Sequence, residues 1–247
     1  MWLTSSILSQ AGFSKHGFTT RKGGVSEGDF ASWNFSTSTG DAAACVEKNY
    51  AILAEHMGVS LDALFTVHQV HSDEIVVVDE QTTSTSAIKA DALLCLRADT
   101  LIGVKTADCV PVLMADPGSG VVAAIHAGWR GVVSRIVPKT LSLMREYVPN
   151  AKPVVVIGPH IREDAFQVGA EVAAQFPGYH KDDPSEEGKY LVDLVGVLRE
   201  QLEASGSPYE GLDIVEGCTL TDPEHRFFSH RRSGGRCGRM FNFIMSR

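Results

Sequence analysis

The chain has 247 residues, about 1.6 times a typical domain of roughly 150, which leaves one large domain or two small ones open. A chain this long buries about 70% of its unfolded surface and needs neither disulfides nor metal merely to fold, so a metal site would point to chemistry. Its formal charge of −8, from 22 Lys plus Arg against 30 Asp plus Glu, argues against a general nucleic-acid binder and against a binder of anionic membranes.

In chain order, Phe18 to Gly28 (FTTRKGGVSEG) is a Gly- and Ser-rich loop carrying Arg21 and Lys22. The spacing of Val46, Tyr50, Leu53 and Met57 predicts a helix over Ala42 to Met57, with Gly58 as the residue beyond its end. Glu74 to Val78 reads as a β-branched strand, and Gln81 to Ser86 as a short polar loop. Three apolar runs follow: Leu101 to Val104, Val110 to Ala115 and Val121 to Ile125. Asp116-Pro117-Gly118 between the last two is a turn signal that favours an antiparallel hairpin.

Val132, Val133, Ile136, Leu141, Met144 and Val148 keep a helical period, which Pro138 should kink or split. Pro153 to Ile157 is a buried strand and Val172 to Phe176 part of a short helix. Leu191, Leu194, Leu198 and Leu202 predict a helix over Leu191 to Leu202. Leu212 to Val215 and Met240 to Met245 look like closing strands. Strands in runs with helices in separate blocks predict an α+β fold, with mixed sheets packed against flanking helices in place of a regular βαβ alternation.

Five scattered cysteines, without a CxxC pair, make a poor disulfide framework and suit a reducing cytoplasm. Met1 to Ser14 lacks a basic start, its first charge being Lys15, and reads as mature protein. No apolar run approaches the ~20 residues that span a bilayer. Asn34-Phe35-Ser36 matches a glycosylation sequon, which in a cytosolic protein is best read as chance.

Three segments set unusual polar residues against strand ends: Val67-His68-Gln69-Val70-His71, Thr106-Ala107-Asp108-Cys109 and Ile125-His126-Ala127-Gly128-Trp129-Arg130. A thiolate and two imidazoles brought together by folding are good zinc ligands, and three protein ligands leave a fourth tetrahedral place for water or substrate. Taken singly, a Cys at a strand end is more often a small buried residue. His68 and His71 are rivals, since only one need reach a metal.

The strings VHQVHSDEI, ADALL, TADCVPVLMAD, AIHAGWRGVV, IGPHI, VGAEV and FFSHRRSGGRCGRM, with FTTRKGGVS near the start, resemble the YfiH or laccase-domain family of zinc-dependent purine nucleoside phosphorylases. They span nearly the whole chain in the family's order. The resemblance implies one catalytic domain over residues 1–247 and a zinc held by His71, Cys109 and His126, which would also be the catalytic residues. The family's ligand His is usually followed by Gly, whereas here Ser72 follows His71.

The resemblance also implies phosphorolysis of adenosine, inosine, guanosine or methylthioadenosine to free base and a pentose 1-phosphate, with adenosine deamination as a second activity. Asp108, Asp73 and Asp91 are candidates to move the proton in deamination. Arg21, Arg130, His230 and Arg231 are candidates for phosphate, because guanidinium forks match phosphate oxygens. Trp129 could stack on a purine or pack in the core. The partners expected are a purine nucleoside and phosphate, with no nucleic acid and no membrane; the oligomeric state stays open.

Two rival enzymes remain. In one, Cys109 is a nucleophile with His126 as its base, an amidase arrangement the resemblance links to editing of peptidoglycan precursors. In the other, the older family label implies a copper-dependent polyphenol oxidase. Its multicopper sites need about ten His, many in HxH pairs. This chain has nine His and no HxH, so copper is expected at most as an adventitious occupant of the Cys/His site.

Overall fold

A computed structural model describes residues 1–247. The N-terminal part supplies β1 (Trp2–Leu3), α1 (Ser6–Gln10), β2 (His16–Thr19), α2 (Ala43–Met57) and β3 (Leu64–Phe65). The apolar centre of the chain forms β4 (Ile75–Val78), β5 (Ala92–Cys95), β6 (Leu101–Thr106), β7 (Val110–Ala115) and β8 (Val122–Ala127). Next come α3 (Trp129–Val133), α4 (Ile136–Tyr147), β9 (Val154–Ile157), β10 (Gln167–Gly169), α5 (Ala170–Ala173), β11 (His180–Asp182) and β12 (Lys189–Val192). The chain closes with α6 (Leu194–Ala204), β13 (Gly211–Ile214) and β14 (Met240–Met245).

The strands make a five-stranded sheet, β1-β2-β14-β6-β3, a six-stranded sheet, β13-β9-β7-β8-β5-β4, and a three-stranded sheet, β10-β12-β11. The two large sheets are mixed: β3 runs parallel to β6, β4 to β5 and β13 to β9, while the other pairs are antiparallel. Alternation along the strands explains how they stack. Ile102, Val104 and Ile244 of the smaller of these sheets meet Leu93, Leu113, Ala124 and Val156 of the larger. The opposite face of the six-stranded sheet, with Leu94, Val112, Met114 and Ile125, is covered by Ile136, Leu141 and Met144 of α4 and Leu198 and Leu202 of α6. Leu53 and Met57 of α2 cover the outer face of the five-stranded sheet at Leu101, Phe241 and Phe243. The central strands are thus buried on both faces, which is why they read as continuous apolar runs. This is the α+β, single-domain architecture the sequence predicts.

Several local expectations hold. The Asp116 turn closes the β7–β8 hairpin, with Ala115 opposite Val122 and Val110 opposite Ala127. The Asp116 carboxylate accepts hydrogen bonds from the Ser119 backbone N–H and hydroxyl. α2 ends at Gly58, which takes the left-handed conformation at φ 63°. The helical stretch near Pro138 is split between α3 and α4, placing the proline in the first turn of α4, where its missing N–H leaves no bond broken. All five cysteines are free, and no helix is long and apolar enough to cross a membrane. Asn34 is fully buried, its Nδ2 donating to the Ser36 carbonyl and to Asp41, so the sequon is closed to modification in the fold.

Others are corrected. The first residues of the proposed Phe18 to Gly28 loop belong to β2, where Phe18 pairs with Asn242 of β14. The helix proposed from Leu191 starts at Leu194, because Asp193 caps it by accepting from the Gly196 N–H, and Leu191 lies in β12. The short helix expected over Val172 to Phe176 is α5, displaced to Ala170–Ala173.

Candidate active site

One end of the six-stranded sheet gathers the polar segments. Cys109 precedes β7, His126 lies near the end of β8 opposite Pro111, and Asp91 directly precedes β5. The His126 backbone N–H donates to the Asp91 carbonyl at 2.8 Å, so β5 and β8 stay in register up to the site. His71 arrives from the loop leading into β4.

His71, Cys109 and His126 each offer a ligand atom, all within 4.8 Å of one another, and no other such group of His, Cys, Asp or Glu occurs. The separation of Cys109 Sγ and His71 Nε2 is 3.9 Å, close to the ~3.6 Å between sulfur and nitrogen on a tetrahedral zinc. His68 stands outside this group, in an isolated bridge to Lys89, and only lines the cavity.

Asp91 holds two of the three side chains. Its carboxylate accepts from His126 Nδ1 at 2.7 Å, which leaves Nε2 free for a ligand. It also accepts from the backbone N–H groups of Val70, His71 and Ser72 and from the Ser72 hydroxyl. These bonds fasten the tight turn in which His71 takes the left-handed conformation, φ 59°. The Ser72 hydroxyl therefore adds a side-chain bond to the turn.

Gly128 supplies the space above the group. A Cβ there would lie 3.0 Å from His71 Cδ2, 3.3 Å from Cys109 Sγ and 3.7 Å from His126 Cε1. Two imidazoles and a thiol around a cradle that only glycine leaves open fit a single metal ion with one coordination place to spare.

Charge within the group is coupled. Burial opposes ionisation of the Cys109 thiol, but the adjoining His126 and His71 rings outweigh it and hold the thiol below its ordinary range. Burial likewise opposes protonation of His126, and Cys109 and Asp91 outweigh it, raising the imidazole. The Asp91 carboxyl is lowered, because bonds from His126 and Ser72 exceed the effect of burial.

The group opens into a cavity of about 540 Å³. Its wall carries three basic side chains, Lys105, Arg231 and Arg239, against one carboxylate, Asp108, so it is locally basic in an acidic protein. Phe35, Tyr50 and Phe166 give it aromatic surface. Asp108 accepts from the Thr219 hydroxyl and from the Arg231 backbone N–H, pinning the segment from the far end of the chain across the cavity.

His230 and Arg231 line this cavity, and Arg21, Arg130 and Trp129 do not. Arg21 Nε donates to the Ala31 carbonyl and its guanidinium lies over Phe228. Arg130 stacks on Trp129, whose ring packs against the helix-side core. Of the three candidate carboxylates for proton transfer, Asp73 pairs with Lys139, Asp91 is held by His126 and the turn, and Asp108, which accepts from Thr219 and the Arg231 N–H, is the one that lines the cavity. Lys105 and Arg239 were not singled out by sequence; the available signal was a lysine inside the buried run Leu101 to Thr106.

A sheet-on-sheet α+β protein with a His₂Cys group at the end of one sheet is the class this geometry defines. The chain belongs to the YfiH, laccase-like family: the family model described as multi-copper polyphenol oxidoreductase laccase matches residues 15–247. It is 37% identical to a purine nucleoside phosphorylase of Bacteroides thetaiotaomicron, over 93% of this chain and 90% of that one. It is 35% identical to adenosine deaminase RL5 of an unknown prokaryotic organism, over 92% of each chain. The crystal structure of the Bacillus licheniformis hypothetical protein YfiH superposes with a TM-score of 0.85 at 28% identity, covering 94% of this chain and 92% of that one. The family description and the relatives' names differ in chemistry. A single three-ligand group cannot hold the several coppers of a multicopper oxidase.

Proposed function

We propose that the protein is a cytoplasmic, zinc-dependent purine nucleoside phosphorylase that also deaminates adenosine. Adenosine, inosine, guanosine and methylthioadenosine are its proposed substrates. The observation that carries this reading is the convergence of His71, Cys109 and His126 on the wall of a locally basic cavity. The names of the relatives support the same chemistry. Zinc held by these three residues would supply Lewis acidity and one open coordination place.

The other roles fall to the chain's own groups. Asp91 keeps the His126 ring oriented with Nε2 toward the cavity, and the left-handed turn holds His71 beside Cys109. Phe35, Tyr50 and Phe166 offer apolar surface to a purine, and His230 and Arg231 offer donors to phosphate. In phosphorolysis a phosphate oxygen bonds to C1′ of the pentose while the C1′–N9 bond breaks, and the base leaves with a proton. In deamination water adds at C6 of adenine and ammonia departs, with Asp108 placed to move a proton.

One observation favours a second reading, a hydrolase in which Cys109 is the nucleophile: its lowered thiol lies beside His126. Metal-quantified protein assayed with inosine and adenosine, with and without phosphate and with products weighed by mass spectrometry, separates the readings. Phosphorolysis requires hypoxanthine and pentose 1-phosphate only when phosphate is present. Turnover by metal-free enzyme that alkylation of Cys109 abolishes would instead establish the hydrolase.

A further inference from the structure

Lys105 is unusual among the cavity residues. On β6 it shares the α2-facing side with Leu101, and its register partner Phe241 stacks on Phe35 with ring centroids 5.2 Å apart. Its stem therefore occupies a place where the strand pattern calls for an apolar side chain. The ammonium reaches the cavity, where the Val67 carbonyl accepts one hydrogen bond at 3.2 Å. No carboxylate lies within 4.0 Å of it, and two of its three donors have no protein partner.

The lysine is also held in place. Gln69 Nε2 donates to the Lys105 carbonyl and Gln69 Oε1 accepts from the Lys105 N–H, both at 2.7 Å, so a side chain prolongs the β3–β6 pairing. Thr66 and His68, on either side of the bonded Val67 carbonyl, line the same cavity and add polar groups beside it. The two arginines of the wall are tethered to main-chain carbonyls. Arg231 Nη1 donates to the Gln167 carbonyl, and Arg239 Nη1 to the carbonyls of Cys237 and Gly238.

A half-buried ammonium without a counter-ion carries a desolvation penalty that a neutral purine offsets only in part and an oxyanion offsets directly. Burial draws Lys105 down to about 8, and an oxyanion beside it would favour the charged form.

We propose that Lys105, rigidly presented by Gln69, is a binding residue for the phosphate co-substrate, forming an oxyanion subsite on the β6 wall of the cavity. The proposal rests on the phosphorolytic reading for the identity of the anion.

The test uses zinc-loaded full-length wild type, Lys105→Met and Lys105→Arg, each verified as folded by circular dichroism. Binding of inorganic phosphate is measured by calorimetry, alongside separate KM values for phosphate and inosine. Loss of one charge-assisted contact weakens binding about 10- to 100-fold. Lys105→Met should therefore raise the phosphate Kd and KM by that factor with the inosine KM within about twofold, and Lys105→Arg should recover part of the loss. Unchanged phosphate affinity in Lys105→Met, or a rise confined to the inosine KM, overturns the assignment. If wild type binds phosphate but turns inosine over without it, phosphorolysis fails while the calorimetry still decides Lys105.

Discussion

At the residue scale, Gly128 is the glycine whose neighbours are the three candidate metal ligands. Its conformation is ordinary, φ −68°, so glycine is required by the closeness of three ligand side chains and not by the backbone. Gly128→Ala sets a methyl at 3.0 Å from the His71 ring and 3.3 Å from Cys109 Sγ, and one of them must move. We expect this variant to fold and to bind zinc about 10- to 100-fold more weakly, the range seen when residues supporting metal ligands are disturbed. Competition with a chromogenic chelator measures it, and wild-type affinity would mean that the group does not form the site. The three candidate ligands are legible in sequence through a family resemblance, carried by VHQVH for His71, TADC for Cys109 and HAGWRG for His126. The partners of Asp91 could not, since its bonds to His126 and to the 70–72 turn depend on β5 and β8 lying side by side. Arg21 and Arg130 look like phosphate binders on composition alone, yet a guanidinium is equally served by the Ala31 carbonyl or the Trp129 ring.

At the element scale, α2 is more than a cover for the five-stranded sheet. Its fully buried Asn49 donates to the Ser26 hydroxyl and the Asn34 carbonyl and accepts from the Val25 N–H, tying the Gly-rich segment to the helix. Asn49→Leu leaves a part-buried N–H and a buried carbonyl without partners and should lower stability by about 2 kcal/mol. Urea unfolding monitored by tryptophan fluorescence checks this, with the midpoint shifting at constant slope; an unchanged midpoint would show the network to be dispensable. Because residues 35–38 at the cavity edge hang from this segment, the inosine KM should rise as well. The legibility of elements follows the strength of their local signals. The β7–β8 hairpin announces itself through two apolar runs and a Pro-Gly turn, whereas β11 is three exposed polar residues that pair only through β12. Leu191 matches the spacing of the α6 stripe by coincidence, and only the Asp193 cap separates strand from helix.

At the scale of the whole molecule, the cavity draws on residues from Phe35 to Arg239, so it exists only when one continuous fold brings both halves of the chain together. The α+β class was visible in the blocks of strands and helices, but the stacking of two sheets between two helical layers was not. Continuous apolar runs say that both faces are buried without saying by what. The same assembly gives a chain of net charge −8 a place for the proposed anionic co-substrate: three basic side chains and one carboxylate line the space where the reaction is proposed. We propose that a single metal ion held by His71, Cys109 and His126 is required for phosphate-dependent cleavage of purine nucleosides. The most direct measurement determines zinc content and phosphate-dependent release of hypoxanthine from inosine in the same preparations of wild type and Cys109→Ala. One zinc per chain and phosphate-dependent release are expected in the wild type, and loss of both in a variant that remains folded. Zinc-free Cys109→Ala that still releases hypoxanthine at the wild-type rate would contradict it.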